Sequence, residues 1–93
     1  MIEQAQPPAW LITGCSRGLG RTLATHVLAR GHRLVATTRK LTQLDDLVAR
    51  YPETCRALAL DVTEPSQVKA AVAQAAAAFG RIDVVVNNAG CGP

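Results

Sequence analysis

Three glycines fall close together in the stretch ITGCSRGLG, at Gly14, Gly18 and Gly20, with Ser16 and Arg17 between the first two. Residues of these types suit the binding of a phosphate ester. The first turn of a helix carries N–H groups with no intrahelical partner and about half a positive charge. A pyrophosphate can lie against that turn only where the backbone comes close. Gly14 would permit the tight turn out of a strand, Gly18 would leave no Cβ in the way of the anion, and Gly20 would let the helix sit close to a sheet. The spacing is G-x-x-x-G-x-G, one residue longer than the G-x-G-x-x-G fingerprint. Taken alone the pattern is weak, because glycines also punctuate ordinary turns.

Three further groups stand at comparable places. Thr37-Thr38-Arg39-Lys40 follows one apolar run, Asp61-Val62 ends a second, and Asn87-Asn88-Ala89-Gly90 ends a third. Each has a plainer reading as well. Asp61 precedes a helical stretch and could serve as its N-terminal charge. Asn87 and Asn88 could be turn residues.

The elements that must position these groups are legible in the periodicity. Residues 9–13 (AWLIT) form a short continuous apolar run before a glycine, which predicts a buried strand. Leu19, Leu23, Val27 and Leu28 recur at helical spacing, and Gly31 supplies a stop. Residues 33–39 predict a second strand. Leu41, Leu44, Leu47, Val48 and Tyr51 predict a helix closed by Pro52, and residues 56–62 a third strand. Thr63 as cap, with Glu64 and Pro65 in the first turn, opens a third helix. Its stripe is Val68, Val72, Ala75 and Phe79, and Gly80 ends it. Residues 82–88 predict a fourth strand whose run Val84-Val85-Val86 calls for cover on both faces. This β-α-β-α-β-α-β alternation predicts an α/β fold with a parallel sheet and right-handed crossovers.

Composition narrows the function classes. The chain has 93 residues, 48% of them hydrophobic and 3% aromatic, with net charge +3. The core must therefore be built from Val, Leu, Ile and Ala. The ten basic residues are spread from Arg17 to Arg81, and one Trp, one Tyr and one Phe give no stacking platform, so no nucleic-acid partner is expected. Cys15, Cys55 and Cys91 are widely spaced and form no Cys-x-x-Cys pair. They read as buried or bystander thiols, with no metal site. No apolar run approaches the ~18 residues of a membrane span. The start lacks the features of a secretory signal, so no membrane association is expected and a cytoplasmic location is the default expectation.

With the elements in place, the chain resembles the short-chain dehydrogenase/reductase family. Thr13-Gly14-Cys15-Ser16-Arg17-Gly18-Leu19-Gly20 is similar to that family's T-G-x-x-x-G-x-G after the first strand. Asp61-Val62 matches its D-V or D-L pair, and Asn87-Asn88-Ala89-Gly90 its N-N-A-G. The resemblance implies a Rossmann-type sheet of order 3-2-1-4 and binding of a nicotinamide dinucleotide. It assigns Ser16 and the backbone of Gly18, Leu19 and Gly20 to the cofactor phosphates, and Asp61 with the Val62 backbone to the adenine edge. Asn88, Ala89 and Gly90 would line the ribose and nicotinamide side, with Asn87 fixing the central strands.

NAD-binding versions of this architecture carry an acid near the end of the second strand for the ribose 2′-hydroxyl. Here Thr38 takes that place, Arg39 and Lys40 follow, and no carboxylate appears before Asp45. A 2′-phosphate calls for cations and donors, which Arg39 and Arg17 would supply, with Thr38 as a hydroxyl donor and Lys40 as a weaker candidate. NADP(H) is therefore expected over NAD(H).

The family's catalytic Ser and Tyr-x-x-x-Lys are not matched. The only tyrosine, Tyr51, has Cys55 four residues on, so no catalytic residue is assigned. The expectation is that residues 1–8 form a leader and 9–93 the amino-terminal part of a dinucleotide-binding domain, cut short after the fourth strand. The complete protein would act on a carbonyl or alcohol and could be a homo-oligomer. The alternatives are a stand-alone dinucleotide-binding module without catalysis and an interaction protein with a degenerate site.

Overall fold

The computed structural model describes residues 7–15, 18–61 and 63–88. Strand β1 (Ala9–Ile12) leads into helix α1 (Gly18–Ala29), then strand β2 (Arg33–Thr38). A 3-10 turn (Leu41–Leu44) runs directly into helix α2 (Asp45–Arg50) and strand β3 (Cys55–Ala59). Helix α3 (Pro65–Phe79) and strand β4 (Val84–Val86) follow. The strands form one sheet in the order β3-β2-β1-β4. Every pairing is parallel: Leu11 lies between Val35 and Val85, and Val35 continues the row to Arg56. The fold class is that predicted from the alternation, and the strand order is the one the family resemblance implies.

The pleat sends alternate residues to opposite faces. Ile12, Leu34, Ala36 and Cys55 face α1 and α2, packing with Ala24, Val27, Leu28, Leu44 and Leu47. Leu11 and Val35 face α3, where they meet Ala75, with Leu58, Phe79 and Ile82 around them. Leu11, Ile12, Leu28 and Leu34 are fully buried, each worth about 1.5–3 kcal/mol. Tyr51 packs against the first cluster, as expected of a residue closing the second helix.

Four local expectations need correction. Leu19 does not join the buried stripe of α1 but is 74% exposed, because Gly20 is the residue turned inward. The second helix is split into the 3-10 turn and α2. Glu64, rather than Thr63, is the N-cap of α3, and it makes no side-chain capping bond; the Thr63 hydroxyl donates instead to Asp61 Oδ1 (2.6 Å). The stripe of α3 keeps Ala75 and Phe79 against the sheet, but Val72 is 36% exposed and Ala71 is buried in its place. The smallest side chains let the helix come closest to the sheet.

Pro7 and Pro8 are tied to the fold. Arg33 donates through Nε (3.1 Å) and Nη2 (2.9 Å) to the Pro7 carbonyl, and its backbone N–H donates to Pro8. Asp83 performs a similar task at the other edge, where its Oδ2 accepts from the Ala9 N–H (2.8 Å). Its carboxyl is held below the usual carboxylate range by that bond and by Arg81. β4 pairs with β1 alone among the described residues, and Val85 is 54% exposed.

Candidate cofactor-binding site

The C-terminal ends of four parallel strands share one edge of the sheet. From β1 the chain runs outward through β2 to β3 on one side and then crosses back to β4 on the other, so the gap between the ends of β1 and β4 is the topological switch point, where open α/β sheets bind ligands. Gly14 follows β1 there. Its φ is +69°, and Gly18, at the start of α1, has φ +68°. Both lie in the left-handed region that side chains disfavour. Gly20 is constrained by space instead. A Cβ added to it would overlap the Gly14 carbonyl oxygen and stand 2.6 Å from Asn88 Nδ2.

Asn88 donates from Nδ2 to that same carbonyl (3.2 Å), so the end of β4 pins the glycine turn. Thr13 secures the strand ends. Its N–H donates to the Val86 carbonyl (3.1 Å), and its hydroxyl donates to Asn87 Oδ1 (3.3 Å). Asn87 thus fixes the central strands as expected.

The first turn of α1 contains no acidic residue. Its amides at Gly18, Leu19 and Gly20 have no intrahelical acceptor, and Gly18 and Leu19 are exposed. This end of the helix offers N–H donors and positive potential to an anion. Cys15 lies inside the turn and is not part of that surface. It is fully buried, its N–H donates to Thr37 O (2.9 Å) and its thiol to Ile12 O (3.1 Å). Burial pushes the thiol pKa up to about 11, which leaves it unreactive at neutral pH. Among the described residues no cluster of His, Cys, Asp and Glu could hold a metal.

At the end of β2, Thr38 is only 5% exposed and its hydroxyl donates to Gln43 Oε1 (2.9 Å). The expectation of a hydroxyl directed to a ligand is corrected to that extent, since its proton is already engaged. Arg39 and Lys40 are exposed just beyond it. At the end of β3, Asp61 Oδ1 accepts from the Thr63 hydroxyl and N–H (3.0 Å), while the Asp61 N–H donates to Gln67 Oε1 (3.0 Å). The Thr63 bonds hold its carboxyl below the usual range, and the Arg39 guanidinium adds to the effect. Arg39 and Asp61 therefore share one rim.

Ser16, Arg17, Val62, Ala89 and Gly90 lie outside the described residues. The structure brings together Gly14, Gly18, Gly20 and Asn88 at one turn, and Thr38, Arg39 and Asp61 along the neighbouring strand ends. The sequence reading missed Gln43 and Thr63. Thr63 reads in the sequence only as a helix cap, although a threonine two residues after an aspartate is the spacing of a local side-chain turn; Gln43 meets Thr38 five residues before it, and no residue-type signal marks that pair.

The chain and its fold have counterparts among known proteins. Residues 8–93 match the family model described as short chain dehydrogenase. The chain belongs to the short-chain dehydrogenase family. Oxidoreductase calM of Penicillium decumbens is 52% identical over 85 residues, which take in 87% of this chain and 28% of calM. A short-chain dehydrogenase of Streptomyces avermitilis superposes with a TM-score of 0.85 at 42% identity, covering 89% of this chain and 31% of that one. A metagenomic short-chain oxidoreductase in complex with NADP gives 0.80 at 29% identity, covering 89% and 39%. The Brucella melitensis 3-ketoacyl-(acyl-carrier-protein) reductase complexed with NADH gives 0.78 at 26%, covering 86% and 33%. The chain thus spans about a third or less of the length of the first two proteins. Both nicotinamide cofactors occur among structural neighbours, so preference must be argued from this chain's own strand ends.

Proposed function

We propose that this chain is the cofactor-binding part of an NADP(H)-dependent oxidoreductase acting on a carbonyl or alcohol, with residues 9–93 forming the amino-terminal portion of its dinucleotide-binding domain. The residues present fit such a cofactor. Gly20 lets the first turn of α1 sit directly against the Gly14 turn, where a Cβ would collide, while the exposed face of Gly18 is clear of protein atoms among the described residues, and α1 begins without a carboxylate to repel the diphosphate. The nicotinamide, when bound, gives or accepts the hydride. The backbone of Gly18, Leu19 and Gly20 binds the diphosphate, with Ser16 added by its place in the sequence. Asp61 and Val62 take the adenine edge. Asn88 steadies the Gly14 turn, and Ala89 and Gly90, by their place in the sequence, would line the ribose and nicotinamide side. None of these groups moves a proton in the reaction, and no catalytic residue is assigned to this chain.

The observation that carries the preference for NADP(H) is the exposed Arg39 immediately beyond β2, with no carboxylate at that strand end. The Thr63 hydrogen bonds chiefly lower the Asp61 carboxyl, and the Arg39 guanidinium on the same rim adds to them. A guanidinium matches a phosphate dianion through paired hydrogen bonds, and Arg17, by its sequence position, would add a second. Titration of the chain with NADPH and with NADH tests this. NADPH should bind at least tenfold tighter, equivalent to about 1.4 kcal/mol; equal affinities would remove the preference, and no binding of either would remove the site.

A further inference from the structure

The Thr38–Gln43 hydrogen bond has a consequence for the ligand. We propose that Gln43 is a specificity-determining residue of this site, its side-chain Nε2 donating to the cofactor 2′-phosphate, with Thr38 as its positioning residue. The inference rests on the reading of the site as one for NADP(H).

A carboxamide carries its acceptor and its donors on one carbon, so whatever fixes Oε1 also fixes Nε2. Oε1 is held by the hydroxyl of a buried threonine at the last position of β2 (2.9 Å). The donor end of an otherwise exposed side chain is thereby kept at the strand end, next to Arg39, where the 2′-phosphate is expected. The backbone of Gln43 is anchored as well. Its N–H donates to Lys40 O (3.0 Å), and its carbonyl accepts from Arg21 Nη1 (3.2 Å). Arg21 reaches from the helix whose first turn would meet the diphosphate, and it also pairs with Asp46. An exposed glutamine held at both side chain and backbone has lost its freedom before any ligand arrives, and such preorganisation favours binding.

The test uses Gln43→Glu. The carboxylate can still accept from Thr38, so the local geometry persists while the donor becomes a second, charged acceptor. Dissociation constants for NADPH and NADH, with the thermal midpoint as a control, form the readout. The expected result is at least a tenfold weaker NADPH complex with NADH unchanged or tighter. Thr38→Val should weaken NADPH a few-fold and leave NADH alone, and Thr38→Ser should restore it; this pair carries the test should Gln43→Glu not fold. A wild-type chain that prefers NADPH, together with variants whose NADPH-to-NADH ratio does not move, overturns the role of Gln43 alone. A wild-type chain with no preference overturns the parent reading, and this inference with it.

Discussion

At the scale of single residues, Gly18 and Gly20 are required for different reasons and should fail differently. Gly20→Ala places a methyl group against a backbone carbonyl and an anchored amide. The turn must shift, at a cost typical of overpacking, about 1–3 kcal/mol, and cofactor affinity should fall with it. Gly18→Ala meets nothing within 4 Å and bears only the left-handed strain of about 1–2 kcal/mol. Thermal denaturation of the two variants, paired with NADPH titration, separates space from conformation. The two buried thiols give a second expectation. Cys15 and Cys55 are raised by burial from 9.0 to about 11. A thiol harder to ionise in the folded chain favours folding below pH 9, and that contribution is lost as pH rises from 9 toward 11. Iodoacetamide at pH 8 should label these two cysteines only when denaturant opens the fold. The role of Asn87 was legible in the sequence because N-N-A-G is a specific string. Gln43 was not, because its partner lies across a strand end and no spacing rule connects them.

At the scale of elements, the alternation and its stops were readable from Gly31, Pro52 and Gly80, and so was the burial of Ala75, whereas that of Ala71 in place of Val72 was not. Helical periodicity marks a stripe by hydrophobicity, but contact distance selected the small Ala71 over Val72 and keeps Ala75 fully buried. Ala75→Leu should therefore destabilise the chain by about 1–3 kcal/mol, while the same change at exposed Ala77 should be near neutral; chemical denaturation curves decide. The strand ends carry a pH dependence. Asp61 is depressed chiefly by Thr63, and Asp46 by Arg21 and Asp83 by the Ala9 N–H. Carboxyls lowered in the folded state stabilise it above their unfolded pKa of about 3.8 and lose that contribution as pH falls through the folded values. Circular dichroism should show unfolding beginning below about pH 4. Loss of structure between pH 5 and 7 would contradict this assignment.

At the scale of the whole molecule, sheet order, two-sided core and family membership agree with the expectation from sequence. The run Val84-Val85-Val86 predicted cover on both faces, yet Val85 is exposed and β4 has a single neighbour among the described residues. An uncharged apolar edge invites pairing between copies. The 93-residue chain should associate with rising concentration in light scattering, and Val85→Lys should suppress it. The proposed cofactor preference turns on electrostatics at the end of β2. The most direct measurement is the affinity of Arg39→Asp for NADPH and NADH beside the wild type. The account predicts an NADPH dissociation constant raised more than tenfold, about 1.4 kcal/mol or more, with NADH bound equally or better. An NADPH affinity untouched by that charge reversal would contradict it.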